Sequence, residues 1–424
     1  KISQVISRLK PRVSYGVNGN IDALTISNDY YWLLGKYSVQ SPYNGKKGYV
    51  NTSVPLYYLK WEKATTLNFG LDLGLFNNRV NFLVDYFIRD IYDKLADQRI
   101  PISTGFSSVK INNGTLQNRG IEIEANFKVI NTDDIKWNIG ANFTRVRNFV
   151  KKLPDNGNDK NRIGGQEIWD PSDPTKTMYV GGRQQGERVG DDLVVGYQDE
   201  GVYHNQAELD PHKDRQIQFY AGTIPTANRK PMVGDTRWKD VNGDGIIDSR
   251  DRVVLGRTTP DFIGGFTTDF TYKNINLFIK TDYAVGHLVH NGVRSRGISQ
   301  VQGNMNWTSE IKDTWTPENP NADIPRYDFT DPRGNHKAGG EGQFTASSRY
   351  WEKGDYLALR EITLSYNLPG AAVNNAFKDI RLFVSGTNLA YFTKYTGYSP
   401  EKGGWDSGRF PLPRSFTFGI NATF

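Results

Sequence analysis

The sequence predicts an all-β protein, a transmembrane antiparallel β-barrel with long loops at one end, and three observations carry that prediction. Apolar side chains recur at every second position in about ten segments, the period of a strand whose two faces meet different surroundings. The connections between those segments alternate strictly between short and long, as turns and loops do at opposite ends of an outer-membrane barrel. No apolar run approaches the roughly 18 residues that a spanning helix needs. The mean hydropathy of −0.59 suits a barrel, because alternation keeps the average low.

Taken in chain order, a less regular strand is expected near Val13 to Val17, followed by a long connection from Asn20 to Lys63. Leu67, Phe69, Leu71, Leu73 and Leu75 then share one face, and only "NN" separates Phe76 from Arg79 before Val80, Phe82, Val84, Tyr86 and Ile88 repeat the pattern. A long connection is expected from Ala96 to Gly120, then Ile121, Ile123, Ala125, Phe127 and Val129, the short "INTDDIK", and Trp137, Ile139, Ala141 and Phe143. The longest connection, 154–260, precedes Phe262, Phe266, Phe270 and Tyr272, which "KN" joins to Leu277, Ile279, Tyr283 and Val285. A second long loop, 288–354, leads to a strand over Tyr356 to Leu368. The connection "PGAAVNNAFK" leads to one over Ile380 to Val384, and a last long connection to "SFTFGINATF", where Phe416, Phe418, Ile420, Ala422 and Phe424 share a face.

A soluble sandwich or propeller also alternates, but it has no reason to segregate loop length by end. The barrel reading gives every strand a direction, with tight turns in the periplasm and long loops outside the cell. Tyr15, Tyr86, Tyr92, Trp137, Tyr272 and Tyr283 lie near strand ends, where interfacial aromatic girdles form. Ten strands can close alone, but loops this large suit a wider lumen, so the 424 residues are expected to be the C-terminal part of a larger barrel.

Composition agrees. Aromatics make up 13%, with 23 Tyr and 22 Phe, and Gly reaches 43, a mix that favours strands and turns. Cysteine is absent, which removes disulfides, thiolate metal sites and a cysteine nucleophile. The net charge of +6 is spread along the chain, without the basic stripe that nucleic-acid binding requires. The opening "KISQVISRLK" has neither a starting Met nor an apolar signal core, so it reads as a mature or cut product.

The stretch "DVNGDGIIDSRD" is the one metal-type motif. Asp240, Asn242 and Asp244 fall at positions one, three and five of a calcium loop, Gly245 at the sharp turn, Ile246 at the carbonyl position, Asp248 at nine and Asp251 at twelve. Hard oxygen donors at alternate positions suit calcium, and the ion would brace the long loop without doing chemistry. The competing reading is an Asx-rich turn with no ion. Enzyme constellations are poor. His204, His212, His287, His290 and His336 fall in loops or at strand ends without a HExxH pattern, and no GxSxG, Walker or dinucleotide fingerprint occurs. Asn319 to Asn335 reads as a surface loop. Trp169, Trp307, Trp315, Trp351, Tyr395, Tyr398 and Trp405 lie in the long connections, where rings could meet a substrate or another protein, or simply pack.

Several segments together carry a family likeness: "LKWEKATTLNFGLDLGLFNNRVNFLVDYFIRDIYDKL", "INNGTLQNRGIEIEANF", "GDTRWKDVNGDGIIDSRDRVVLGRTTPDFIGGF", "YLALREITLSYNLP" and "RLFVSGTNLAYFTKYTGYSPE". The chain resembles the TonB-dependent outer-membrane transporters of the SusC/RagA type from Bacteroidota over most of its length. The resemblance implies a barrel of about 22 strands with a plugged lumen, a SusD-like surface lipoprotein as lid, energy delivered by the TonB complex, contact with outer-membrane lipid, and an importer pair that can dimerise. It implies import of glycan or peptide fragments by a protein that is not an enzyme. The family's plug and TonB box are not found in this stretch, which leaves open a barrel kept as a structural or docking subunit of a larger outer-membrane complex.

Overall fold

Ten strands form one antiparallel sheet in the order of the chain: β1 Ile6–Asn20, β2 Glu62–Leu75, β3 Val80–Arg99, β4 Ser108–Asn131, β5 Ile135–Lys152, β6 Phe262–Tyr272, β7 Ile275–Val285, β8 Tyr356–Asn367, β9 Asp379–Thr393 and β10 Ser415–Thr423. The computed structural model describes residues 5–20, 34–218, 229–299, 306–328, 331, 333–336, 346–368, 377, 379–401 and 403–423. Among them the pairing runs from β1 to β10 without closing on itself. The expected connection "PGAAVNNAFK" lies outside the described residues except for Phe377, as does Phe424.

Register turns the alternation into two chemically distinct faces. Leu9 stands opposite Leu73, Leu73 opposite Phe82, and Phe82 opposite Ala125, so one row across β1 to β4 is apolar. Leu277, Leu364, Val384 and Phe418 form the matching row across β7 to β10. Phe69, Phe266, Leu364, Val384 and Phe418 on this face are exposed. Exposed apolar surface costs about 25 cal/mol per Å² in water, so a sheet-wide apolar face belongs against lipid. The opposite face carries charge: Asp72 accepts from Arg8 at 3.0 Å and Arg12 at 2.8 Å, and Arg12 reaches Asp85 at 3.0 Å. A slip of one residue would exchange the two faces, which is what fixes the register.

The tight turns follow from local chemistry. Between β2 and β3, Phe76, Asn77 and Asn78 all have positive φ, and the Arg79 amide donates to the Phe76 carbonyl. Asn tolerates this left-handed region better than most residues, which explains why "NN" is enough. Lys273 takes the same conformation between β6 and β7.

One expected loop is strand instead. The stretch Ala96 to Gly120 continues β3 to Arg99 and begins β4 at Ser108, with the Ile100 amide donating to Ser107 across the remaining turn. Its charged residues hid the period, because both faces of a ribbon that projects beyond the apolar zone meet water. The register is irregular between Ile91 and Leu95, where Asp93 has positive φ and Asn112 bridges the Asp93 and Lys60 carbonyls.

The chain falls into two compact units, Lys1–Phe127 with Asn142–Gly164 and Gly182–Gly190, and Lys128–Ala141 with Gly165–Gly181 and Asp191–Phe424. In the first, β1 to β4 pair in sequence. In the second, the described parts of 165–181, 191–261 and 286–355 include several short strands, and Tyr197, Ile217, Trp238, Ile247 and Ala346 form a buried apolar cluster there. The Asn319 to Asn335 segment, expected as a surface loop, is exposed at Asn319 to Asn321 and Asp323 but reaches into the interior at others of its described residues. Ala322, Ile324, Arg333 and Asn335 are buried, because Arg326 and Arg333 converge on the fully buried Asp235 at 2.7 and 2.8 Å.

Candidate functional site

The acidic stretch expected to bind calcium is a tight loop whose carboxylates hold backbone amides. Asp240 accepts from the amides of Gly243 and Gly245 at 2.8 and 2.9 Å, Asp244 from Ile246 at 2.7 Å, and Asn242 from Asp244 at 3.3 Å. Positive φ at Gly243 and Gly245 makes the curl possible. Asp248 and Asp251 cap each other's backbone around a short helical turn, and Asp251 also accepts from Val241 at 2.9 Å. Burial pushes the Asp251 carboxyl up to about 6, against the pull of the Asp248 and Val241 amides and with the help of the negative Asp248 and Asp240. The donors are hard oxygens of the kind calcium prefers. Among the described residues, though, no three acidic or His side chains gather on one centre. The Ile246 amide pairs locally, and its residue begins a two-residue strand beside Gln216.

Most of the singled-out rings are packed. Trp351 and Trp405 enclose His290, with centroids 5.1 and 4.4 Å from it. Tyr395 donates to Asp406 at 2.9 Å, and burial next to that carboxylate raises its hydroxyl's pKa. Trp315 lies against Gly234 and donates to the His204 carbonyl at 3.3 Å. Trp169 lies under the Arg250 guanidinium at 4.6 Å. Trp307 and Tyr398 are the exposed pair, and Trp307 stacks on Tyr327 at 5.1 Å, itself stacked on His336. His287 is buried and its Nε2 sits 2.8 Å from the Pro400 carbonyl. The two nearby histidines are therefore packing elements.

The structure also gathers groups that alternation and motifs did not mark. A cleft of about 880 Å³ is lined by Asn291, Arg294, Glu310, Glu352, Lys394 and Tyr398 among others. Glu352 takes the Thr396 amide at 2.8 Å and the Asn291 side chain at 3.0 Å, while Arg294 grips Glu310 at 2.8 Å. Arg360 lies at a bulge between Leu359 and Glu361, which lets its guanidinium reach Asp282 at 2.9 Å, the Tyr391 hydroxyl at 3.0 Å, and Glu401. A signal for this bulge exists: Leu357 and Leu359 are at odd positions, while Ile362, Leu364 and Tyr366 are at even ones.

Comparison with known proteins settles the family. The model of the TonB dependent receptor-like β-barrel matches residues 4–389. The chain belongs to this family. TonB-dependent receptor P3 of Formosa agariphila is 30% identical over 450 residues, covering 100% of this chain and 40% of that protein. TonB-dependent receptor SusC of Bacteroides thetaiotaomicron is 27% identical, covering 99% and 38%. A structure of the RagAB peptide importer in its open-open state superposes with a TM-score of 0.69 at 23% identity, covering 100% of this chain and 41% of that one, a likeness of fold. The chain thus spans about two fifths of the length of these relatives. This TonB-dependent receptor barrel is a protein of the Gram-negative outer membrane, and its family is one of transporters, not enzymes.

Proposed function

We propose that this barrel is part of a SusC-type importer that takes up glycan or peptide fragments with energy from TonB, beneath a SusD-like lipoprotein lid. The reading rests chiefly on family membership across residues 4–389, with SusC among the relatives. The two-faced sheet supports it: an apolar face suits lipid, and a charged face suits a polar lumen. The cleft beside Arg294, Glu310 and Glu352 offers charges of both signs on the long-loop side, where a captured fragment would be held before entry. The chemistry asked of the protein is binding and release, with no bond broken.

Deletion of the gene in its native host, followed by growth on defined oligosaccharides and peptides, tests the reading. Loss of growth on one class, together with copurification of a surface lipoprotein, is the expected result. Unchanged uptake of every class would instead support a docking subunit. We propose further that the Asp240 to Asp251 loop braces the long connection, with calcium as the ion its oxygen donors suit.

A further inference from the structure

In the first unit, the apolar face of the sheet is bounded on the loop side by arginines. In β4 the row Ile121, Ile123, Ala125 and Phe127 leads to Arg119, which the ladder sets opposite Ile88 of β3 with no shift of register from Val80 onward. Arg119 therefore keeps the lipid-facing side. Its guanidinium lies 4.0 Å from the centroid of the Phe149 ring in β5, so Phe149 shares that side, and the strand's period of two adds Arg147 and Arg145. Hydrocarbon ends at this level. From Ile121 to Val129 the strand covers roughly 27 Å at about 3.4 Å per residue, or about 20 Å of height at a tilt of about 40°, most of an apolar band about 25 Å tall.

These arginines keep donors to spare. Arg119 and Arg145 are exposed, and the Arg147 Nε is buried without a hydrogen-bond partner. Among the described residues none of the three meets a carboxylate within ion-pair distance. Asp90, which faces the same side one row further out, accepts from Gln117 at 2.8 Å and Tyr92 at 3.2 Å. The Phe149 ring attracts the Arg119 charge without taking up its hydrogen-bond donors. Like charges at neighbouring positions of one face repel, and an anion set among them removes that cost.

We infer that Arg119, Arg145 and Arg147 hold the phosphates of a polyphosphorylated lipid headgroup in the outer leaflet. Guanidinium groups offer paired donors that match phosphate oxygens. Arg145 and Arg147 start about 7 Å apart along β5, and Arg119 reaches the ring beyond them, so the patch is wider than one phosphate. Its place at the edge of the apolar band, on the lipid-facing side, puts it where headgroups lie and where a soluble protein would have to displace lipid first. The inference stands apart from whichever cargo the barrel carries.

The test titrates the full-length protein in detergent with lipid A in bisphosphorylated, monophosphorylated and dephosphorylated forms, with inorganic phosphate, and with an oligoaspartate peptide, read by native mass spectrometry. Bisphosphorylated lipid A should bind tightest. Combining Arg119→Gln, Arg145→Gln and Arg147→Gln should weaken it at least about tenfold, the size of lost hydrogen bonds between charged groups. Should that variant fail to fold, as read by the gel mobility of the folded barrel, Arg145→Gln alone should still lose several-fold and Arg145→Lys should recover part of it. Arg89→Gln, exposed on the opposite face and paired with Asn118, should bind lipid A as the wild type does. Equal binding of the dephosphorylated form, or an equal loss in Arg89→Gln, overturns the inference. Inorganic phosphate that displaces lipid A at equal concentration makes this a site for free anions, and oligoaspartate that does so makes it a protein contact; either result also overturns it.

Discussion

Arg360 illustrates how one residue can be visible in the sequence and still be missed. Its neighbours shift from odd to even apolar positions, which marks an inserted residue, but the slip has meaning only once the partner strands are known. Asp282 and Glu401, which the bulge brings to the guanidinium, are far away in sequence, and nothing in local pattern joins them. Arg360→Met should therefore leave two carboxylates facing each other and destabilise the barrel by about 1–3 kcal/mol, discounted for partial exposure. Arg360→Lys should recover little of this, because an ammonium cannot span three partners as a planar fork does. Combining Arg360→Met with Asp282→Asn should cost less than the sum of the two single changes. Urea unfolding of the refolded barrel in detergent reads the wild type and the four variants, and strict additivity would count against the network.

At the scale of elements, all ten sheet strands were legible, since each keeps one greasy face over the part that meets lipid. Their lengths were not. β3 and β4 run on past that zone as a charged ribbon, and water on both sides erases the period that betrayed them. The "DVNGDGIIDSRD" loop was legible as a curl, because Asp, Asn and Gly at those positions dictate one. Whether the curl holds an ion depends on distances that spacing alone does not set. Asp251 offers a way to ask. With its carboxyl raised to about 6, above the usual 3.9 or so of an unfolded Asp, the folded loop binds the proton more tightly than the unfolded one. In the absence of calcium, stability at this loop should then rise as pH falls from about 6 to about 4. Bound calcium favours the ionised form and reverses the sign, so acid should loosen a loaded loop. Limited proteolysis between Val233 and Arg257, with calcium and with chelator, at neutral pH and at about pH 5, gives the answer. Equal cleavage with and without calcium at both values would identify a plain Asx-rich turn.

For the whole molecule, the decisive fact is that one sheet has two solvents. Phe69 and Asn68 are adjacent in β2, yet the pairing puts Phe69 opposite Val13 and Tyr86, and Asn68 opposite Ser14 and Phe87. The first row faces lipid and the second the side where Asp72 and Asp85 hold Arg12. Phe69→Arg should cost about 2–4 kcal/mol if the row lies near the bilayer centre, because the charge must be dragged into hydrocarbon. Asn68→Arg should cost far less, since that face already accommodates guanidinium groups. Folding of the full-length protein into lipid vesicles under a urea gradient compares the two directly. In detergent micelles, which deform around a charge more readily than a bilayer does, the gap should narrow. A similar penalty for both changes in vesicles would mean that the two faces have been assigned to the wrong solvents.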